Sequence, residues 1–354
     1  MTEFYCPTKI WTGKHALDML QTLHAKRVFL VTDPYFVSSG KTAEIERRLA
    51  GAEIQIFDQV QPDPPAELAA KGAAACKLFP PDLLIALGGG SAMDCAKGIR
   101  LAMEKPVTFL AIPTTSGSGS EVTSFSILSK GDVKHVLIDP LLRPDIAILD
   151  DSLLHALPQA LIADTGMDLL AHCVEALAAT GGNEITQALA MYAGTLVLQH
   201  LQSSYEGDRA VRGRIHEAAT MAGMAFDNAG LGLCHAAAHA LGGVTHLPHG
   251  RLCAMILPFV MQYNQPAVLP KYARLAAMCG LSGATEKLSL RNLIGYLERL
   301  RKAMGLPSTL HEAGIRQLDF TGIINTVKQD PCCQTNPVPV TEEAILKLLR
   351  EIAG

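Results

Sequence analysis

Aromatic residues are scarce in this chain of 354 residues: Phe, Tyr and Trp make up 5%, with a single Trp, and charged residues reach only 18%. The charges nearly cancel, 30 Lys and Arg against 34 Asp and Glu for a net of −4, so there is no basic excess for a nucleic acid or an anionic membrane surface to attract. No strongly apolar run approaches the ~18–20 residues of a membrane span; stretches such as Leu252–Met261 stop well short. The start, Met1-Thr-Glu-Phe-Tyr-Cys6, is acidic where a signal peptide is basic, and no apolar segment follows, so no export signal is expected. The nine cysteines are odd in number and contain no C-x-x-C pair, which reads as reduced thiols in a cytoplasmic protein. Between Asp151 and Gly250 there is no Lys, and the only Arg residues are Arg209, Arg212 and Arg214. A polyanionic partner is excluded, and a charged substrate is disfavoured.

What the chain has in quantity is aliphatic residues patterned in two ways. Over the first ~150 positions, strand-like runs (Val28–Thr32, Glu53–Phe57, Leu83–Leu87, Val107–Ile112, Asp145–Leu149) alternate with helical stretches (Ser39–Ala50, Pro65–Leu78, Ser91–Met103). That alternation predicts a doubly wound parallel sheet covered on both faces. Beyond Pro158 the strand signal disappears, and long Ala/Leu/Met-rich segments predict an all-helical domain. We therefore expect an α/β domain over residues 1–157 and a helical domain over 158–354, joined by a turn and forming a cleft.

Two polar loops follow predicted strands. Leu83–Leu87 runs into Gly88-Gly-Gly-Ser-Ala-Met-Asp94 and then a helical pattern, so Gly89, Gly90, Ser91 and Asp94 stand where a backbone can approach a diphosphate. Met93 occupies the place of the third glycine of the usual dinucleotide fingerprint, and an ordinary βα turn is the alternative. After the next strand, Thr114, Thr115 and Ser118 belong to an unbroken hydroxyl-and-glycine run ending at Ser120, suited to ribose and phosphate or else simply flexible. Asp33, ending the first clear strand, can accept from an adenosine ribose and repel the extra phosphate of NADP, or merely initiate a turn before Pro34.

Histidine is the most unevenly distributed residue. Of twelve, four (His235, His239, His246, His249) fall within fifteen positions, where chance would place about half of one. Asp168 and His172 stand at i and i+4, as do His235 and His239, so each pair shares a helical face. Such a carboxylate–imidazole set suits Fe²⁺ or Zn²⁺. Cys173 and Cys234 flank these positions but point away from them on a helix, so both read as packing.

Together the motifs Gly88–Asp94, Ile112-Pro-Thr-Thr-Ser-Gly-Ser-Gly-Ser-Glu-Val-Thr123, Thr165-Gly-Met-Asp-Leu-Leu-Ala-His172 and Gly230-Leu-Gly-Leu-Cys-His-Ala-Ala-Ala-His239 with Pro248-His-Gly250 resemble the iron-containing (group III) alcohol dehydrogenases. Within that family, the compact length and Cys333-Gln-Thr-Asn-Pro-Val-Pro339 are most similar to the 1-propanol dehydrogenases of propanediol-degrading microcompartments. The resemblance implies a Rossmann-like domain, a helical domain and a cleft metal ligated by Asp168, His172, His235 and His249. It places His239 beside the nicotinamide as the catalytic candidate, and cofactor contacts at Asp33, Gly90, Ser91, Thr114, Ser118, Ile127, Lys134 and Leu161.

The expected activity is metal-dependent, NAD(H)-linked interconversion of short aliphatic aldehydes and primary alcohols, with Fe²⁺ or alternatively Zn²⁺. The expected protein is a cytoplasmic homo-oligomer, with possible residence in a microcompartment. Two rivals share the features: a same-fold lyase of the dehydroquinate synthase type, and an idle metal-binding or assembly protein. The lyase needs Lys and Arg around its metal, which are missing here, and the idle protein predicts a broken ligand set or glycine loop. Neither is broken.

Overall fold

The computed structural model describes residues 2–131 and 133–354. The chain divides into two units, Cys6–Ala156 and Leu157–Gly354, the latter including the stretch before Cys6.

In the first unit the apolar runs become strands because their alternate residues are wanted on opposite faces. Strands β1 (Lys9–Thr12), β2 (Arg27–Val31), β3 (Glu53–Phe57), β4 (Leu83–Gly88), β5 (Thr108–Pro113) and β8 (Ile146–Leu149) form one parallel sheet in the order β1-β8-β5-β4-β2-β3. Along β4, Leu84 and Ala86 enter one core, while Leu83, Ile85 and Leu87 enter the other. Both faces are apolar, so no polar alternation is left to read. Helices α3 (Ala66–Leu78) and α4 (Gly90–Ala102) supply the first core; α2 (Lys41–Arg48) and a short 3₁₀ turn at Ala16–Thr22 line the second, and α1 (Pro34–Ser38) connects β2 to α2. Met93 is fully buried in the first core. Outside the main sheet, β6 (Phe125–Lys130) and β7 (Val133–Ile138) form an antiparallel hairpin.

Among the strands, β1 and the hairpin are not expected from the sequence. Strand β1 is only four residues long, sits at the sheet edge and is half-exposed, and the hairpin is largely half-exposed too, so neither produces an apolar run. The other strands begin or end within a residue of expectation.

The second unit is helical: α5 (Gln159–Ala178), α6 (Glu184–Tyr205), α7 (Arg212–Ala229), α8 (Leu233–Thr245), α9 (His249–Met278), α10 (Glu286–Ala303), α11 (Phe320–Gln329) and α12 (Glu342–Ala353). Among the described residues no strand follows Leu149. Helix α5 is buried along nearly its whole length, packed against α6, α7 and α9. Helix α9 is long and apolar enough to cross a membrane, but Pro258, Pro266 and Pro270 interrupt it, it kinks at Val268, and its buried residues pack inside this unit.

Candidate metal centre and phosphate-binding loops

The sheet order reverses between β2 and β4, since β3 lies on one side of β2 and β4, β5 and β8 on the other. Open α/β sheets bind ligands outside the carboxyl ends of strands at such a reversal. Here β4 ends in Gly88, paired in register with Pro113 of β5, and Thr114 N–H donates to Gly88 O at 3.0 Å. The two predicted loops thus start side by side: Thr115 and Ser118 stand against Gly89 and Gly90 so closely that a Cβ on either glycine would meet them at 3.2–3.4 Å. Gly88 has φ +152°, and a Cβ there would fall 2.6 Å from that of Ala92. Only glycine makes this turn. Gly89 then serves as the N-cap of α4 without a side chain, leaving the first amides of the helix for a ligand.

Asp33 is the N-cap of α1, its Oδ1 accepting from Tyr35 N and Phe36 N. The turn role and a fixed carboxylate at the end of β2 are therefore both real. Asp94 accepts from the Ile127 amide, and burial pushes its carboxyl up to about 7 against the pull of Lys97. Lys97, missed in the sequence, is a fully buried ammonium donating to Thr123 O, Thr123 Oγ1 and Phe125 O, and so ties α4 to the hairpin. Lys134 is engaged with Asp63 at 2.6 Å. Leu161 sits on the first turn of α5, in the helical unit.

In the helical unit, α5 carries Asp168, His172 and Glu175 on successive turns, α8 carries His235 and His239, and α9 begins with His249. His246, in the left-handed conformation at φ 55°, caps α8 and turns the chain towards α9; it is exposed and apart from the cluster. The first turn of α9 lies directly on α5, because a Cβ on Gly250 would be 1.8 Å from Asp164 O. The result is a buried convergence. Asp168 Oδ1 is 3.7 Å from His235 Nε2 and 3.4 Å from His249 Nε2, and the thiol of Cys253, one turn after His249, completes a group of four ligand-type atoms within 4.8 Å of one another. His172 stands beside this group, its ring stacked between Phe226 at 4.5 Å and His235 at 4.4 Å, with Nδ1 4.0 Å from Asp168 Oδ2.

The electrostatics are those of a place for a cation. Burial alone would raise the Asp168 carboxyl, but His172, His249 and His235 outweigh it and hold it well below the usual carboxylate range. Burial alone would lower His235, but the carboxylates of Asp168 and Glu175 push it up to about 10. His235 Nε2 is nonetheless buried without a hydrogen-bond partner.

Glu175 was not singled out in the sequence, though it lies one further turn along the face of Asp168 and His172. It is buried, accepts from the amides of Gly232, Cys234 and His235 at 2.7–3.2 Å, and lies 2.7 Å from His235 Nδ1. It caps α8 from α5 and holds the proton on Nδ1, so that Nε2 is the nitrogen left to give up its proton to an incoming cation. His239 has a matching support in Asp330, 2.8 Å from its Nδ1, which the Cys332 amide also holds. The segment around Cys333–Pro339 is structural as well. Asn336 accepts from Leu233 N and pairs with Asn264. Cys173 and Cys234 are fully buried, Cys234 directed at Cys253 O, in keeping with packing roles.

Arg251, just beyond the Lys-free stretch Asp151–Gly250, is the cation nearest in sequence to this cluster. Its guanidinium is held by both oxygens of Asp164, at 3.0 and 3.1 Å. Its charge is already matched.

Comparison with known proteins adds the lineage. Residues 7–151 match the family described as iron-containing alcohol dehydrogenase, and residues 162–353 match the Fe-containing alcohol dehydrogenase family, C-terminal. The chain is 38% identical to the 1-propanol dehydrogenase PduQ of Salmonella typhimurium, over 99% of this chain and 100% of that one. It is 36% identical to an NADPH-dependent butanol dehydrogenase of Clostridium saccharobutylicum, over 98% and 97%. Its fold superposes on a crystal structure of 1,3-propanediol oxidoreductase with a TM-score of 0.94 at 32% identity, covering 99% and 100% of the two chains. A sheet with two adjoining phosphate-suited loops, a buried carboxylate–histidine cluster on three helices, and sequence matches spanning both units make this chain a member of the iron-containing alcohol dehydrogenase family.

Proposed function

We propose that the chain interconverts short, uncharged aliphatic aldehydes and their primary alcohols with NAD(H), using one divalent metal, Fe²⁺ or Zn²⁺, held by Asp168, His172, His235 and His249. The observation that carries this is the convergence at Asp168. Oxygen and nitrogen ligands 2.0–2.2 Å from a shared tetrahedral cation lie about 3.3–3.6 Å apart, and the separations of Asp168 Oδ1 from His249 Nε2 and His235 Nε2 are 3.4 and 3.7 Å. The buried, unsatisfied Nε2 of His235 also fits a cation. When bound, the metal supplies Lewis acidity at the carbonyl oxygen and the nicotinamide supplies the hydride, so that aldehyde, NADH and a proton become alcohol and NAD⁺.

The chain's own residues do the rest. Asp168 contributes the one carboxylate of the proposed set, and Glu175 fixes the ring of His235. His239, its tautomer set by Asp330, presents Nε2 and delivers the proton to the oxygen. The loops at Gly88–Gly90 and Thr114–Ser118 receive the diphosphate and ribose. Asp33, at the end of β2, selects NAD(H) over NADP(H), in contrast to the NADPH-dependent butanol relative.

The matched charge of Arg251 and the lack of Lys from Asp151 to Gly250 support an uncharged substrate, and the relatives named above act on small alcohols. The expected homo-oligomer and association with a microcompartment rest on the resemblance alone. The test is a series from acetaldehyde to hexanal beside succinic semialdehyde. Each buried methylene contributes roughly 0.8 kcal/mol, so kcat/KM should rise over the first few carbons and then level, and the carboxylate should be rejected for want of a partner. A clear preference for succinic semialdehyde would overturn this reading.

A further inference from the structure

We infer that Asn336 is a positioning residue for the metal centre: its side-chain oxygen seats the start of α8 and so fixes the height of His235. This rests on the proposed centre of Asp168, His172, His235 and His249 and adds a residue outside that set. A helix begins with four amides that its own ladder leaves unpaired. In α8 the ladder starts at Ala236, whose N–H donates to Gly232 O, and the N-cap Gly232 has no side chain to offer. Glu175 of α5 accepts from Gly232, Cys234 and His235. The remaining amide, Leu233 N, donates to Asn336 Oδ1 at 3.2 Å. Both side chains press on the backbone, because a Cβ on Gly232 would lie 2.6 Å from Asn336 Oδ1 and 2.7 Å from Glu175 Oε1. The turn that carries His235 is thus seated by two side chains from elsewhere in the chain.

Asn336 can do this because its own orientation is fixed. It is buried and uses its whole hydrogen-bonding capacity. Its Nδ2 donates to Asn264 Oδ1 at 2.8 Å and to Val338 O at 2.7 Å, while Oδ1 accepts from Asn264 Nδ2 at 3.0 Å as well as from Leu233 N. A carbonyl can only accept, so Val338 dictates which end of the amide is nitrogen and turns the oxygen towards α8. Asn264 belongs to α9, the helix that begins with His249. Glu175 therefore joins the start of α8 to α5, and Asn336 joins it to α9. Thr335 holds the approach to the same start, its Oγ1 donating to Leu231 O at 2.7 Å. Removing the acceptor leaves the Leu233 N–H buried and unpaired, and the first turn of α8 relieves that cost by shifting, His235 with it.

The test uses two readouts on the full-length protein, neither of them turnover: hydrogen exchange over Leu233–His235 in the metal-free state, and Zn²⁺ affinity by competition with a chromophoric chelator. Asn336→Ala should speed exchange at the start of α8 and weaken Zn²⁺ binding by roughly 10–100-fold, the range typical of residues that orient a ligand from behind. Asn264→Ala keeps the acceptor but frees it to turn, so both readouts should move the same way by less; it decides the matter if Asn336→Ala does not fold. The control is Leu348→Ala, which opens a cavity in the packing of α12. It should lower the melting temperature and leave both readouts near wild type. Unchanged Zn²⁺ affinity in the folded asparagine variants, or an equal weakening in Leu348→Ala, would overturn the inference and leave the metal centre standing. If the wild type binds no Zn²⁺, the metal centre itself fails, and the positioning role of Asn336 with it.

Discussion

Asp33 and Asp330 are the two carboxylates to which the proposed function gives a chemical task beside the backbone one that the structure gives them. Asp33 uses Oδ1 to hold the first amides of α1, which pins its charge at the carboxyl end of β2. A 2′-phosphate brought within hydrogen-bond range of that charge is opposed by on the order of 1–3 kcal/mol in a partly shielded site. The wild type should therefore favour NADH, and Asp33→Gly should move the NADH-to-NADPH ratio of kcat/KM towards NADPH; a wild type that already prefers NADPH removes the role from Asp33. Asp330 likewise caps the short turn Pro331–Thr335 and fixes His239. In Asp330→Asn the amide permits the wrong tautomer, so kcat should fall by roughly 10²-fold while KM hardly moves. Equal losses in both would instead indicate a disturbed binding site.

The ligand cluster exists only because three helices meet at fixed heights, and Gly250 sets one of those heights. Any side chain there runs into the Asp164 carbonyl of α5. Gly250→Ala should push α9 away from α5, carry His249 off Asp168, and cost about 1–3 kcal/mol of stability or more. Both the melting temperature and the metal affinity should fall, and an unchanged affinity would show that the crossing does not position His249. The sequence exposed much of this scale. The i,i+4 pairs placed Asp168 with His172 and His235 with His239, because spacing alone decides which side chains share a face, and the glycine run after β4 marked the tight turn into α4. Glu175, Asp330 and Cys253 were not legible in the same way. Glu175 and Cys253 do lie one turn from a ligand, but nothing in spacing says which neighbour on a helical face points into a site. Asp330 is 91 residues from His239, and only the tertiary fold brings them together. Lys97 was hidden for a related reason: a lysine in an amphipathic pattern reads as exposed, whereas here three oxygens satisfy it inside the core.

At the scale of the molecule, the two units divide the labour. The first supplies a sheet whose strand ends present amides and hydroxyls; the second supplies a buried carboxylate–histidine cluster in a shell of small and aliphatic residues. Neither unit shows an excess of positive charge, in keeping with a chain of net charge −4 and with an uncharged substrate. The central claim is that turnover depends on one divalent cation held by Asp168, His172, His235 and His249. The most direct measurement is NADH oxidation with propionaldehyde by exhaustively chelated protein titrated with Fe²⁺ or Zn²⁺ under anaerobic conditions, with bound metal quantified at each point. The account predicts near-zero turnover in the metal-free protein, rising in proportion to occupancy up to one ion per chain, and no recovery in His235→Ala. Full turnover by the metal-free protein, or by metal-free His235→Ala, would contradict it.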